Sequence, residues 1–115
     1  MSAARWERLR AALGDDGLAA VVSEKRYTED RSGRVHHGVS RSITLRPASG
    51  WVIQISDSWW SKNPQAWLGW VVDLSGPDSI TRGLSRGLKR PAEVVAAVRL
   101  HLGMVMPDPQ AEVTR

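Results

Sequence analysis

Cysteine and phenylalanine are both missing from this 115-residue chain, and tyrosine occurs once, at Tyr27. Without cysteine there is no disulfide, no thiolate metal centre and no cysteine nucleophile. The longest apolar runs, residues 18–22 and 94–98, are far shorter than the roughly 20 residues a membrane-spanning helix needs. The opening residues include Arg5, Glu7 and Arg8 and lead into an amphipathic stretch, so they do not read as a secretion signal. A soluble, cytoplasmic protein is the expectation. Catalytic signatures are missing as well: the chain has no Gly-x-Ser-x-Gly elbow, phosphate loop, His-Glu-x-x-His or dinucleotide fingerprint. It is read as a single domain by length, non-enzymatic, with no cofactor and no small-molecule substrate.

What the chain does have is tryptophan. Five of its six indoles, Trp51, Trp59, Trp60, Trp67 and Trp70, fall close together, so nearly all the aromatic material is in one place. Such a cluster serves either as the centre of a small core or as a stacking surface for a partner. Charge is the second feature. The formal net charge is +4, but residues 51–80 carry −2, while 21–50 and 81–115 carry +3 each. Basic segments of this kind favour an anionic partner, nucleic acid foremost. Arginine outnumbers lysine thirteen to three, as a GC-rich coding sequence also produces, so part of the excess reflects composition.

Periodicity supplies the elements. Trp6, Leu9 and Leu13 recur at helical spacing over residues 4–13, with Gly14 as the stop. Asp15-Asp16-Gly17 then reads as the cap of a second helical segment reaching about Arg26, with a short strand over residues 18–23 as the competing assignment. Residues 24–37 are highly charged, with turn chemistry around Ser32-Gly33, and read as a surface loop or an exposed hairpin. From Val39 the period changes to two. Val39, Ile43 and Leu45 share one face, and after a turn at residues 47–50 so do Trp51, Ile53 and Ile55. A third strand places Leu68, Trp70, Val72 and Leu74 on one face and Trp67 and Val71 on the other. Pro91 opens a final helix whose stripe is Val94, Val95, Val98 and Leu102, closed by Gly103.

The expected fold class is therefore α+β: a three-stranded antiparallel β-meander packed against an N-terminal and a C-terminal helix, in α-βββ-α order. It occupies residues 1–106, with 107–115 as a flexible tail. The order resembles that of double-stranded-RNA-binding domains. The start of the last helix, Lys89-Arg90-Pro91-Ala92-Glu93, departs from their lysine-rich signature, and no family is assigned.

Two groups of residues are candidate contacts. Residues 81–90 double an Arg-Gly-Leu triplet and contain Arg82, Arg86, Lys89 and Arg90 without an acid. Glycine-containing backbone and guanidinium forks suit phosphate contacts, and Lys89, Arg90 and the N–H groups opening the helix near Ala92 could converge on one anion. A solvated linker is the plainer reading of the same run. Trp51 and Trp70 belong to the core by their strand faces. Trp59 and Trp60 are neighbours and point to opposite faces of a strand. At least one of Trp59, Trp60 and Trp67 is therefore expected outside the core, where beside Lys62 it would stack on a base or anchor a protein partner. The alternative is a second small core under the first helix, joined by Trp6.

The histidines offer less. His36-His37 with Glu29 and Asp30 is the one grouping that resembles a metal site, but adjacent histidines on an extended chain diverge, and no metal is expected. His101, near the end of the last helix, would suit the helix dipole as a cation. The leading functional expectation is a small binding module that contacts nucleic acid through its basic segment from Arg82 to Arg90, which Lys25, Arg26, Arg31 and Arg34 could join, and through exposed tryptophan. The alternative is a protein–protein or regulatory accessory factor, of the kind phages encode, or a homodimer joined through the tryptophan-rich sheet face.

Overall fold

The computed structural model describes residues 3–60 and 66–106. In chain order it contains α1 (Ala3–Asp15), β1 (Val22–Arg31), β2 (Arg34–Ala48), β3 (Trp51–Trp60), β4 (Ala66–Ser75), β5 (Thr81–Leu88) and α2 (Pro91–Leu102). The strands form one antiparallel sheet in the order β1-β2-β3-β4-β5, so every strand pairs with its neighbours in the chain. The class is α+β with a helix at each end, as the periodicity implies. The three-stranded meander is not what forms: among the described residues the sheet has five strands. The likeness to double-stranded-RNA-binding domains rested on three strands and goes with them.

The two additional strands lie at the edges of the sheet, and each hides its period for a physical reason. The expected second helix over residues 15–26 is a short connection followed by β1. No described residue from Ser23 to Ser40 is buried, so the β1–β2 hairpin has no apolar alternation to display. Its two-residue loop, Ser32-Gly33, has positive φ at both positions (52° and 73°), the mirror-type turn that matches strand twist. At the other edge, residues 81–88 are β5 rather than a linker. Its inward positions Gly83 and Ser85, which pair with the buried Leu74 and Val72, are too small to register as apolar.

Both helices cover one face of the sheet. Trp6, Leu9 and Leu13 of α1 and Val94, Ala97 and Val98 of α2 are buried in one cluster with Ile43 of β2, Trp51, Ile53 and Ile55 of β3, and Trp70, Val72 and Leu74 of β4. Full burial of each such aliphatic side chain stabilises by about 1.5–3 kcal/mol. Arg99 of α2 also pairs with Asp16 just beyond α1, tying the two helices together.

One face assignment changes in β4. Ser58 pairs with Gly69, but Trp59 pairs with Trp67, so Leu68 is an extra residue in a bulge. Gly69 permits it, with φ at 113°, a value that side-chain-bearing residues rarely adopt. The bulge reverses the alternation beyond it. Leu68, expected inside, is 42% exposed, while Trp67, expected on the opposite face from Trp70, packs edge-on against it at 5.0 Å between ring centroids.

Gly83 has a different task. A Cβ there would lie 2.6 Å from Cε1 of His101, because the imidazole of α2 lies directly on β5. Gly83→Ala should therefore destabilise the fold by about 1–3 kcal/mol, the usual cost of forcing a methyl into a packed contact. Thermal denaturation should show a fall of roughly 5 °C or more. A melting temperature within a degree of the parent would mean that His101 does not rest on this strand.

Candidate functional site

The basic segment is an extended strand, which keeps its cations apart. Arg82 is the extra residue of one bulge, and a second bulge falls between Ser85 and Leu88. With a rise of about 3.3 Å per residue, Arg82 and Arg90 lie at opposite ends of the edge. Arg82 is already ion-paired with Asp78, whose other carboxylate oxygen accepts from the Ile80 N–H at 3.1 Å. Lys89 donates from Nζ to the Trp67 carbonyl at 3.4 Å. Arg86 and Arg90 are exposed. At the start of α2 the Glu93 carboxylate accepts from the Arg90 N–H at 3.2 Å, so the chain places its own anion where an external one was expected.

The tryptophans divide between core and rim. Trp6 meets Trp70 edge-on at 6.2 Å, and Trp70 meets Trp67, giving a chain of three indoles from α1 into β4. The Nε1 atoms of Trp67 and Trp70 are buried without a hydrogen-bond partner, a cost that the edge-to-face packing helps to offset. The outer face of Trp67 is occupied by the chain itself. The Arg5 guanidinium lies 3.8 Å from its ring centroid and the Lys89 ammonium 5.8 Å away. Arg5 is the partner that sequence reasoning misses, because it lies on the polar side of α1. Trp59 is 37% exposed and donates from Nε1 to Asp57 at 2.9 Å. The side chain of Trp60, Lys62 and the tail from residue 107 lie outside the described residues.

The charges are unevenly used. Glu7, Asp16, Glu24 and Asp78 are held in ion pairs with Arg10, Arg99, Arg41 and Arg82. Asp57 and Glu93 accept hydrogen bonds, and Glu29 is also engaged. Among the described residues this leaves Asp15 and Asp30 as exposed acids without a partner. On the basic side, Arg8, Lys25, Arg26, Arg34, Arg46, Arg86 and Arg90 are all exposed and in no described ion pair. Among the described residues, exposed cations outside ion pairs therefore outnumber exposed acids outside them, which are Asp15, Asp30 and Glu93.

His101 differs from expectation. It is 2% exposed, and burial lowers its pKa, with the nearby Asp73 charge acting in the opposite direction. It is therefore a neutral core residue and not a helix-end cation. Its Nε2 lies 3.1 Å from Ser85 Oγ, and its Nδ1 has no partner. Asp73 lies between the inward Val72 and Leu74 and so projects from the opposite face of β4, where it cannot orient the imidazole as in a catalytic relay. Among the described residues no group of three or more histidines and carboxylates is placed to hold a metal. His37 is exposed, with Nδ1 3.3 Å from Thr28 Oγ1. No described helix is long and apolar enough to cross a membrane.

Comparison with known proteins finds no matching family model, no similar curated protein and no similar solved structure.

The buried imidazole predicts an acid response. The unfolded chain binds a proton at His101 near pH 6.5, and the folded chain binds it only at lower pH. As pH falls below about 6.5 the unfolded form takes up the proton first, so stability decreases. Asp73, whose pKa burial raises, acts with the opposite sign, and only in the window just above the ordinary carboxylate value. The melting temperature should thus fall between pH 7.5 and 5.5, and His101→Gln should flatten that slope. Equal slopes in parent and variant would assign the acid response to other groups.

Proposed function

We propose that this protein is a binding module for nucleic acid. The observation that carries this reading is the imbalance of free charge: Glu7, Asp16, Glu24 and Asp78 are ion-paired with the chain's own arginines, while Arg8, Lys25, Arg26, Arg34, Arg46, Arg86 and Arg90 remain exposed and in no described ion pair. Such a surface attracts a polyanion by neutralising phosphates and releasing their counterions. Base stacking plays a smaller part than the tryptophan content implies, because Trp67 is covered by Arg5 and Trp59 is tied to Asp57. The alternative of a protein partner or second copy on the tryptophan-rich sheet face has less to support it, since Trp51 and Trp70 of that face are buried with α1 and α2.

The test is anisotropy with labelled oligonucleotides across a salt series. Binding should weaken steeply with salt. Changing Arg86 and Arg90 together to alanine should lower affinity and reduce the slope of log K against log salt by roughly 1.5–2, the value for two lost phosphate contacts. A parent that binds no oligonucleotide at low salt would end this reading. A double variant with the parent's affinity and slope would remove the β5–α2 edge from it.

A further inference from the structure

The β1–β2 hairpin outgrows the rest of the sheet. The register between β2 and β3 begins at Ile43 with Ile55 and runs toward Ala48 with Trp51. On the other side of Ile43, β2 continues to Arg34 and pairs with β1 in unbroken register from Ser23 with Ser42 to Arg31 with Arg34. Over those nine pairs the hairpin is a two-stranded ribbon about 30 Å long. It contributes to the 57 Å long axis of a molecule only 20 Å thick and to a radius of gyration of 16.3 Å. A compact chain of this size has about 13 Å.

A two-stranded ribbon in water is marginal by itself, and this one is held by cross-strand pairs instead of a core. Glu24 pairs with Arg41 at 3.0 Å, Thr28 meets His37, and the Tyr27 ring lies over Gly38, covering bare backbone. Alternation sorts the charges. Positions Glu24, Arg26 and Asp30 with Arg41 fall on the side that the helices occupy further along, and their charges cancel. Of the described side chains, Lys25, Glu29 and Arg34 fall on the opposite side and sum to +1. The ribbon's excess charge is therefore on one face, where Lys25 and Arg34 are exposed beside the 46% exposed Tyr27.

From this geometry, and building on the nucleic-acid reading above, we infer that the β1–β2 ribbon seats in the major groove of double-stranded DNA with the Lys25–Tyr27–Arg34 face toward the duplex. Two strands about 4.8 Å apart fit a groove about 12 Å wide and 8.5 Å deep, whereas the five-stranded sheet does not. The ribbon's length approaches one helical turn of B-form DNA. A-form RNA duplexes have a deep, narrow major groove that excludes such an element, so the duplex that fits the ribbon is DNA.

The experiment compares a mixed-sequence DNA duplex, one of its single strands and an RNA duplex at one salt concentration, with dimethyl sulfate footprinting of the DNA duplex. Guanine N7 faces the major groove, so the native protein should protect it. The DNA duplex should be preferred by about tenfold or more, and Lys25→Ala with Arg34→Ala should weaken duplex binding by a similar factor while the melting temperature stays at the parent value. Binding to all three nucleic acids alike, or duplex binding without N7 protection, overturns the groove assignment and leaves the nucleic-acid reading intact. So does a double variant that binds as the parent does while the Arg86/Arg90 variant is weakened. Absence of any nucleic-acid binding overturns both. Ribbon-mediated dimers in light scattering, with no protected guanine, would make a second copy the occupant in place of DNA.

Discussion

Trp70 is the residue on which the structure turns. It lies on β4 with Trp6 of α1 against one side and Trp67 against another, and it pairs across the sheet with Asp57 and Leu88. With two short helices and few large side chains, the chain can dry only one patch of a five-stranded sheet. Trp70 fixes where that patch is. Strand positions near it become core, from Ile43 across to Leu74. Those far from it must be stabilised without burial, by turns, cross-strand pairs and charge. The β1–β2 ribbon is the consequence of this limit.

The same limit explains why the Gly69 bulge matters. Strict alternation along β4 would put Leu68 inside and Trp67 on the open face. The extra residue exchanges them, so the largest side chain joins Trp70 and the smaller one is left in solvent. Burying an indole removes more apolar surface from water than burying a leucine, so the exchange favours the bulged register. Arg5 and Lys89 then cover the part of Trp67 that the core does not reach. Lys89, a candidate ligand contact by its sequence, is thereby partly committed to packing.

What the sequence discloses follows from where water is excluded. Both helices and the apolar residues of β2, β3 and β4 are legible, because burial on one side forces a period of 3.6 or of 2. Leu9, Leu13, Ile53, Val72 and Val98 announce themselves in this way. β1 is legible only as one of two alternatives, an exposed hairpin turning at Ser32-Gly33, because neither of its faces is dry. β5 is illegible because its inward positions are Gly83 and Ser85, made small by a histidine eighteen and sixteen residues further on. Likewise nothing local in the sequence marks His101 as buried, or Arg5 as the partner of Trp67. Those contacts depend on elements that meet only in the folded chain. Of the candidate contact residues, Arg86 and Arg90 remain open, while Arg82, Lys89, Trp59 and Trp67 have partners within the molecule.

The two edges of the sheet show how the free charge arises. An unpaired edge strand invites another strand, and proteins deter this with bulges or with charge. β5 uses bulges, two of them in eight residues. β1 has none; its register with β2 is unbroken over ten pairs, and six of its ten residues are charged. Charge is therefore what keeps the β1 edge from pairing. Mixed signs would serve that purpose equally well if they cancelled on both faces of the ribbon. They cancel on the face with Glu24, Arg26, Asp30 and Arg41, and among the described side chains not on the face with Lys25, Glu29 and Arg34. Protection of the edge requires charge, but it does not require that asymmetry. The one-sided excess is the part of the ribbon that edge protection leaves unexplained, and it is the part on which the proposed contact with a polyanion rests.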